Sequence, residues 1–497
     1  MSEKQITGEV ANTSHRKGWP VPGDDEILIA TVGGIGEIGM NMTLYGHAGK
    51  WLLVDAGVAF TKPEEKERTG RSSKSVSFNS IRHIAPDIVG AVITHAHEDH
   101  IGGLQDLWPQ YLNCPIFTTP FAGEILRLKG DVDADFRTFE PGSDLDFPEL
   151  EPFKISSIEM THSVPEPVAL MISGKGCERT IFHSGDWKFD DNPIFGGYDK
   201  NRLKQIGYDG GVDVLLSDST NSVKDHVEYK SEADVGKALD AIMQDATGMV
   251  VVCCFASNVD RLVNIASKAQ LNNRSVAFAG RSMRTFIEVA DGMDMLGDLN
   301  NIVNNPADLD YIPGDKKVLV CTGIQGEERA VLARLANSGM DTAGRLPELR
   351  AGDTVVLSGR TIPGNEQYID PILATLREKG VKIIKSNERI NGYPVHVSGH
   401  ASGDEIRELY DMVKPKTVMP VHGESVHLLA NGRIANECGA NCMFTLPGAV
   451  VSLRKSGNLK HVSTVNVTEH YRYDNEILRN IKARERSSGS RYRAPSF

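Results

Sequence analysis

The chain lacks any long apolar run. Hydrophobic residues make up 40% of its 497 positions, yet the longest unbroken apolar stretch reaches only from Met249 to Ala256. A membrane-spanning helix needs about 18 or more such residues, so no membrane partner is expected. The N-terminal sequence MSEKQITGEVANTSHRKGWP is polar and has no apolar centre for a secretory signal. Cysteine is scarce. The seven thiols are odd in number, scattered, and form no CxxC pair, which predicts free thiols in a reducing cytoplasm. Cys438 and Cys442 have a spacing that a metal could use, but no second Cys or His pair lies nearby in the sequence. Basic residues are outnumbered, 54 against 66 acidic, for a net charge of −12. That balance disfavours general adhesion to nucleic acid and leaves room only for a local basic groove. No glycine-rich loop is followed by GK[ST], so an NTP-hydrolysing P-loop is excluded.

What is present begins with size. At roughly 150 residues per domain, the length predicts about three domains, or two with one split by an insertion. The first part reads as strands separated by Gly-rich turns: Ile27 to Val32, Asn41 to Tyr45, Trp51 to Asp55, Ala91 to Thr94, Ile116 to Thr118, Val168 to Ser173, Arg179 to His183 and Val212 to Ser217. After Asn221 the rhythm changes. Helical patterns at Ser231 to Gln244, Val259 to Gln270, Met283 to Met295, Glu327 to Asn337 and Asn365 to Glu378 alternate with short apolar strands. Such alternation signals βαβ units around a parallel sheet. From Asn391 the chain returns to short motifs rich in His, Gly and Ser. One mixed α/β domain interrupted by a doubly wound one is the expected organisation.

The strongest chemical signal is Thr94-His95-Ala96-His97-Glu98-Asp99-His100. It follows an apolar strand and packs three His and one Asp into a loop, too many for core residues. Alternation puts His95 and His97 on one side, able to share an ion, while Asp99 and His100 leave the next turn and can hold a second. Imidazole with carboxylate suits Zn²⁺ or Mn²⁺. Two ions need further ligands, and His162, Asp186 and His422 lie where apolar runs meet Gly or Pro, the usual place for ligands above a sheet. Asp55 ends the run WLLVD and is expected to orient a ligand His. The turns Thr322 to Glu327, Ser358-Gly359-Arg360 and Arg281 are weaker phosphate candidates.

These motifs resemble a known family. HAHEDH with His162, Asp186, His422 and Asp55 looks like the metallo-β-lactamase fold. SDST at Ser217 to Thr220, SGHAS at Ser398 to Ser402 and PVHGE at Pro420 to Glu424 resemble the β-CASP nucleases. VGGIGEIGMNM at Val32 to Met42, HVSGHAS and IPGNE at Ile362 to Glu366 resemble ribonuclease J within them. The resemblance covers the chain to about residue 460.

It implies an αββα metallo-β-lactamase sandwich carrying an inserted doubly wound parallel-sheet β-CASP domain. The implied division is residues 1–222 and 391–462 for the sandwich, 223–390 for the insertion, and 463–497 for a basic tail. Relatives of this kind usually carry a further C-terminal domain, which the tail would replace here. The family pattern gives His95, His97 and His162 to one ion and Asp99, His100 and His422 to the other, with Asp186 bridging them. Two Zn²⁺ per chain are expected, with Mn²⁺ or Mg²⁺ as alternatives. Asp99, Asp218 and His400 are the implied catalytic residues. His396, Val397, Ser398, Gly399 and His400 are the implied substrate contacts.

The implied activity is hydrolysis of single-stranded RNA, 5′→3′ from 5′-monophosphate ends with endonuclease cuts, in RNA processing and decay. Two ions about 3.5–4 Å apart can share a hydroxide nucleophile. Asp99 can take its proton, and a protonated His400 can stabilise the phosphate or the leaving oxygen. Ser398, Gly399 and Ala401 are small enough to let backbone N–H groups approach phosphate oxygens. A homodimer and contacts with other RNA-decay proteins also follow from the resemblance. The alternatives are a nuclease acting on DNA and a non-catalytic β-CASP scaffold.

Overall fold

A computed structural model of the chain describes residues 18–472, apart from 226–229, 328, 338–339, 342–343 and 363–364. The N-terminal segment before Gly18 and the basic tail beyond Arg472 lie outside the described residues.

The strands of the first part are apolar on both sides because both sides are covered. In Glu26–Thr31, Ile27 and Ile29 face the other sheet, while Leu28 and Ala30 face the opposite way into a second buried layer. This strand belongs to an eight-stranded sheet ordered Lys460–Thr464, Ala449–Arg454, Glu26–Thr31, Thr43–His47, Lys50–Val54, Ile88–Val92, Ile116–Thr118 and Phe136–Thr138. A six-stranded sheet packs on it, ordered Asn441–Cys442, Thr417–Val421, Val214–Asp218, Cys177–His183, Val168–Gly174 and Phe153–Glu159. Tyr45, Leu52, Val54, Phe153, Leu170, Leu216 and Met419 fill the space between them. The outer face of the second sheet is covered by the helices Lys200–Tyr208, Gly403–Val413 and Ser425–Glu437, through Leu203, Ile206, Ile406, Leu409 and Ile434. The result is the expected αββα sandwich.

The inserted unit is a six-stranded sheet ordered Ile302–Val303, Ser275–Ala279, Lys317–Cys321, Val250–Cys253, Thr354–Leu357 and Lys382–Ile384. Every pairing in it is parallel. Val250 and Val252 face the helices Glu232–Asp245 and Val259–Leu271, while Val251 and Cys253 face Val331–Ala336 and Glu366–Glu378. Helices on both faces make it doubly wound. The helix expected from Glu327 is shorter, Val331–Ala336. The Leu332 N–H goes to Thr322 O, closing the preceding loop on itself instead of extending the helix backwards.

Two features place the site. Cys177–His183, Val214–Asp218 and Thr417–Val421 are parallel and finish at one rim. Lys50–Val54 and Ile88–Val92 are also parallel, and their ends lead into Asp55 and Thr94. The segments bearing Asp55, His95 to His100, Asp186, Asp218 and His422 therefore leave strand ends at the same edge. A buried tie joins the insertion to this edge. Arg261, fully buried, clamps both carboxylate oxygens of Glu232 and donates to Ser358 O at 2.9 Å. Ser358 Oγ in turn donates to Val395 O at 2.6 Å. Ser358 is thus a structural link rather than an open phosphate contact.

Candidate metal centre and its facing loop

A short helix, Glu98–Ile101, carries Asp99 and His100 immediately after His95 and His97. One turn cannot hold itself, and neighbouring backbone holds it instead. Asn41 N–H donates to Asp99 O at 3.0 Å and Ala56 N–H to His100 O at 2.8 Å. The approach is so close that a Cβ on Gly57 would lie 1.6 Å from Asp99 O, so only glycine serves there. Asp55 (φ 57°) and His422 (φ 52°) both sit in the left-handed region, a strain tolerated where side-chain direction matters.

All seven expected ligands converge. His95 Nε2 and His162 Nε2 lie 3.2 and 3.0 Å from His97 Nδ1. Asp186 Oδ2 is 3.2 Å from His100 Nε2, 3.9 Å from His95 Nε2 and 4.0 Å from His162 Nε2. His422 is 2.7 Å from Asp186 Oδ1 through Nδ1 and 3.3 Å from Asp99 Oδ2 through Nε2. The donor atoms fall into the groups His95, His97, His162 and Asp99, His100, Asp186, His422, with Asp186, Asp218, His400 and His422 forming a third that shares two members with the second.

The outer contacts set which nitrogens are bare. Asp55 accepts from Thr94 N–H and from the Thr94 hydroxyl, both at 2.8 Å, and from His100 Nδ1 at 2.7 Å. The Thr94 oxygen lies 3.1 Å from His95 Nδ1, and His162 Nδ1 donates to Gly399 O at 2.6 Å. For His95 and His162 this leaves Nε2 as the lone pair turned inward, the arrangement that orients metal-binding imidazoles, while His100 Nε2 lies 3.0 Å from Asn41 Nδ2. Burial and the neighbouring imidazoles push His95 and His162 well below their usual range, and burial takes His97 down to about 4. These three stay neutral, as ligands must. Burial also opposes a proton on His100 and His422, but carboxylates led by Asp186 outweigh it and lift both, His422 to about 10. Burial would raise Asp99 and Asp186; the facing imidazoles hold both down. Asp186 Oδ2 and His422 Nε2 are buried and make no hydrogen bond among the described residues. Bare nitrogens, ionised carboxylates and two orphaned buried atoms around one point fit divalent cations.

Asp218 and His400 form a pair beside this group. His400 Nδ1 lies 2.9 Å from Asp218 Oδ2 and 3.7 Å from Asp186 Oδ2. Burial disfavours its proton, but Asp218 and Asp186 raise His400 above its ordinary value. The segment His396 to His400 faces the cluster. Gly399 is pressed against it, since a Cβ there would lie 2.8 Å from the His162 ring. His396 Nδ1 is buried without a hydrogen bond among the described residues, and burial with the cations Arg261, Lys224, Lys188 and Arg360 keeps the ring neutral. Val397 is half-buried and packs on the core.

Sequence reasoning missed several supporting residues. Asn221 donates to Ser398 Oγ at 2.7 Å and His400 O at 3.0 Å, fixing the facing loop. Asn431 donates to Ser217 Oγ, Asp218 O and Ser219 Oγ. Tyr45 and His183 pair at 2.8 Å in the layer behind Asp55. Asn221 directly follows SDST, a position that could have drawn notice. Asn431 lies mid-helix and had no such signal. Cys438 and Cys442 are free and half-buried against the outer helices.

Three family models match the chain: "Metallo-beta-lactamase superfamily" over residues 35–162, "Ribonuclease J, beta-CASP domain" over 247–376, and "Zn-dependent metallo-hydrolase RNA specificity domain" over 391–435. The chain is 37% identical over 436 residues to ribonuclease J of Sinorhizobium meliloti, covering 84% of this chain and 72% of that one. The chain belongs to the ribonuclease J family. Ribonuclease J of Mycolicibacterium smegmatis is 35% identical over 418 residues, covering 83% of this chain and 72% of its own length. A crystal structure of an Enterococcus faecalis V583 protein of unknown function aligns with a TM-score of 0.58 at 14% identity, over 86% of this chain and all of its own; it supports the fold. As a ribonuclease J family member, the chain is a hydrolase of metallo-β-lactamase fold with a divalent-metal site. Among the described residues no helix is long and apolar enough to cross a membrane.

Proposed function

We propose that the protein hydrolyses phosphodiester bonds of single-stranded RNA in the cytoplasm, running 5′→3′ from 5′-monophosphate ends and also cutting internally. The observation that carries this reading is the seating of His396 to His400 against the His/Asp cluster, through Gly399 O on His162 and His400 on Asp218. A small-substrate hydrolase has no need of a second domain tied to its site, as the Arg261, Ser358 and Val395 contacts tie this one.

In this reading His95, His97 and His162 would hold one divalent ion, Asp99, His100 and His422 a second, and Asp186 both. Zn²⁺ suits the donor set, with Mn²⁺ and Mg²⁺ as alternatives. Bound there, such ions supply Lewis acidity toward the phosphate and acidify water to near neutrality. Asp99, held ionised by His100 and His422 against burial, accepts the proton of the attacking water. His400 keeps a proton because Asp218 and Asp186 outweigh its burial, and it donates toward the phosphate or the departing 3′-oxygen. Asp218 holds that imidazole in place, with its other oxygen engaged by Thr220 N–H and hydroxyl at 2.9 and 2.7 Å. Asn221 keeps the backbone of His396 to His400 presented to the substrate.

A degradation assay on 3′-labelled single-stranded RNA tests the proposal. RNA with a 5′-monophosphate should disappear fastest, matched 5′-triphosphate RNA more slowly, and single-stranded DNA least. Equal loss of DNA and RNA, or no preference at the 5′ end, would reject the specificity assigned here.

A further inference from the structure

The one-turn helix Glu98–Ile101 ends in carbonyls that its own turn cannot satisfy. Asp99 O and His100 O take N–H groups from Asn41 and Ala56. The next accepting carbonyl, Gly102 O, takes a long contact from Gln105 Nε2 at 3.3 Å and a shorter one from the far end of the sequence: Arg472 Nη1 donates to it at 2.6 Å. Arg472 is buried, and its Nε lies 3.5 Å from Asp106 Oδ1. Ser75 Oγ donates to the other Asp106 oxygen at 2.6 Å. A cation at the C-terminal end of the helix also complements its dipole.

Arg472 is held there by a strand of its own. Glu469–Arg472 pairs antiparallel with Ser73–Val76, which pairs with Val58–Phe60 just beyond Gly57. Lys74, nearly buried, joins Glu469 at 2.8 Å, Glu37 at 3.1 Å and Glu65 at 3.2 Å. Glu37 belongs to the loop whose Gly34 O accepts the His422 N–H at 2.6 Å. The last described strand thus holds the segment of Asp99 and His100 directly through Arg472, and reaches the loop behind His422 through Lys74 of the neighbouring strand.

We infer that Arg472 is a positioning residue for Asp99 and His100, acting through the Gly102 carbonyl. The inference rests on the metal-dependent reading above. The strand lies beyond the matched family segments, which end at residue 435, and within residues 463–497, the stretch expected to be a basic tail.

The test compares the full chain with Arg472→Ala and Arg472→Lys, with exposed Lys460→Ala as control. Mn²⁺ affinity is titrated on the metal-stripped proteins, melting temperature is recorded, and kcat and KM are measured on single-stranded RNA. Removing an outer partner of a metal ligand costs about tenfold in affinity or rate. Arg472→Ala should therefore bind the weaker Mn²⁺ about tenfold less tightly and lose about tenfold in kcat with KM unchanged. Arg472→Lys should recover most of both, and Lys460→Ala should match the parent. Wild-type Mn²⁺ affinity in a folded Arg472→Ala protein would overturn the inference. So would an Arg472→Lys variant that regains the melting temperature but not the Mn²⁺ affinity. If Arg472→Ala does not fold, the Arg472→Lys comparison decides alone. If the parent protein binds Mn²⁺ but does not cleave RNA, the ribonuclease reading fails while the titration still judges Arg472.

Discussion

At the scale of single residues, the centre separates holding from reacting. The seven grouped ligands are tied by outer contacts or by one another, and Asp55 engages both Thr94 and His100. His400 differs. It lies at the edge of the cluster with 22% of its side chain exposed, and its partner is Asp218. His400→Ala should lower kcat by about 10²-fold or more, the usual worth of a general acid, while bound metal stays at the parent level. Metal loss in that variant would make His400 a ligand instead. The motif His95 to His100 was legible because its residue types have no other use on a loop. Asn221 and Asn431 were not, since a buried amide is recognised only by the backbone groups that it meets in three dimensions.

At the scale of elements, strands and helices of the inserted unit followed the alternation of apolar runs closely. The exceptions were set by contacts distant in sequence. Arg472 counts as one more basic residue in the sequence, yet it sits in a paired strand against the motif helix. The first turn of Val259–Leu271 holds another such case. Asp260 is buried, and burial with the nearby Glu232 carboxylate lifts it to about 7, against the pull of Lys188. The unfolded chain loses this proton near 3.8. Between those values the folded protein holds the extra proton, so this group's contribution to stability falls as pH rises from about 4 to 7. Asp260→Asn should flatten that part of the curve and raise the melting temperature at pH 8, with little change at pH 4. Melting curves across pH 4 to 8 check this; an unchanged slope would show that Asp260 is already ionised in the fold.

At the scale of the whole molecule, a sandwich supplies the cation site and an inserted sheet, tied through Arg261, Glu232 and Ser358, stands beside it. The expectation of one domain split by another came from a change in rhythm near residues 221 and 391; the strands of the parallel sheet, Val250 to Ile384, fall between those of the sandwich in chain order. How the two units meet was not legible, because Ser358, held by Arg261 within the insertion, reaches Val395 of the returning segment only in the folded chain. Net charge also acts at this scale. The segment past Arg472 carries Arg479, Lys482, Arg484, Arg486, Arg491 and Arg493 on a chain of net charge −12. Ending the chain after Arg472 should weaken RNA binding and flatten its dependence on salt, by about 0.7 in log–log slope for each phosphate of a single strand that the tail no longer neutralises. Binding isotherms at several salt concentrations measure this, and an identical slope would assign the tail no part in RNA binding.

If the seven converging residues hold two divalent ions, RNA cleavage depends on them. The most direct measurement is to strip the protein with chelator, return Zn²⁺ or Mn²⁺ in steps, and follow bound metal and cleavage of 5′-monophosphate RNA together. Activity should return as occupancy reaches about two ions per chain, and His97→Ala and Asp99→Ala should bind less metal and not cleave. Cleavage by metal-stripped protein, or full activity in either variant, would contradict that dependence.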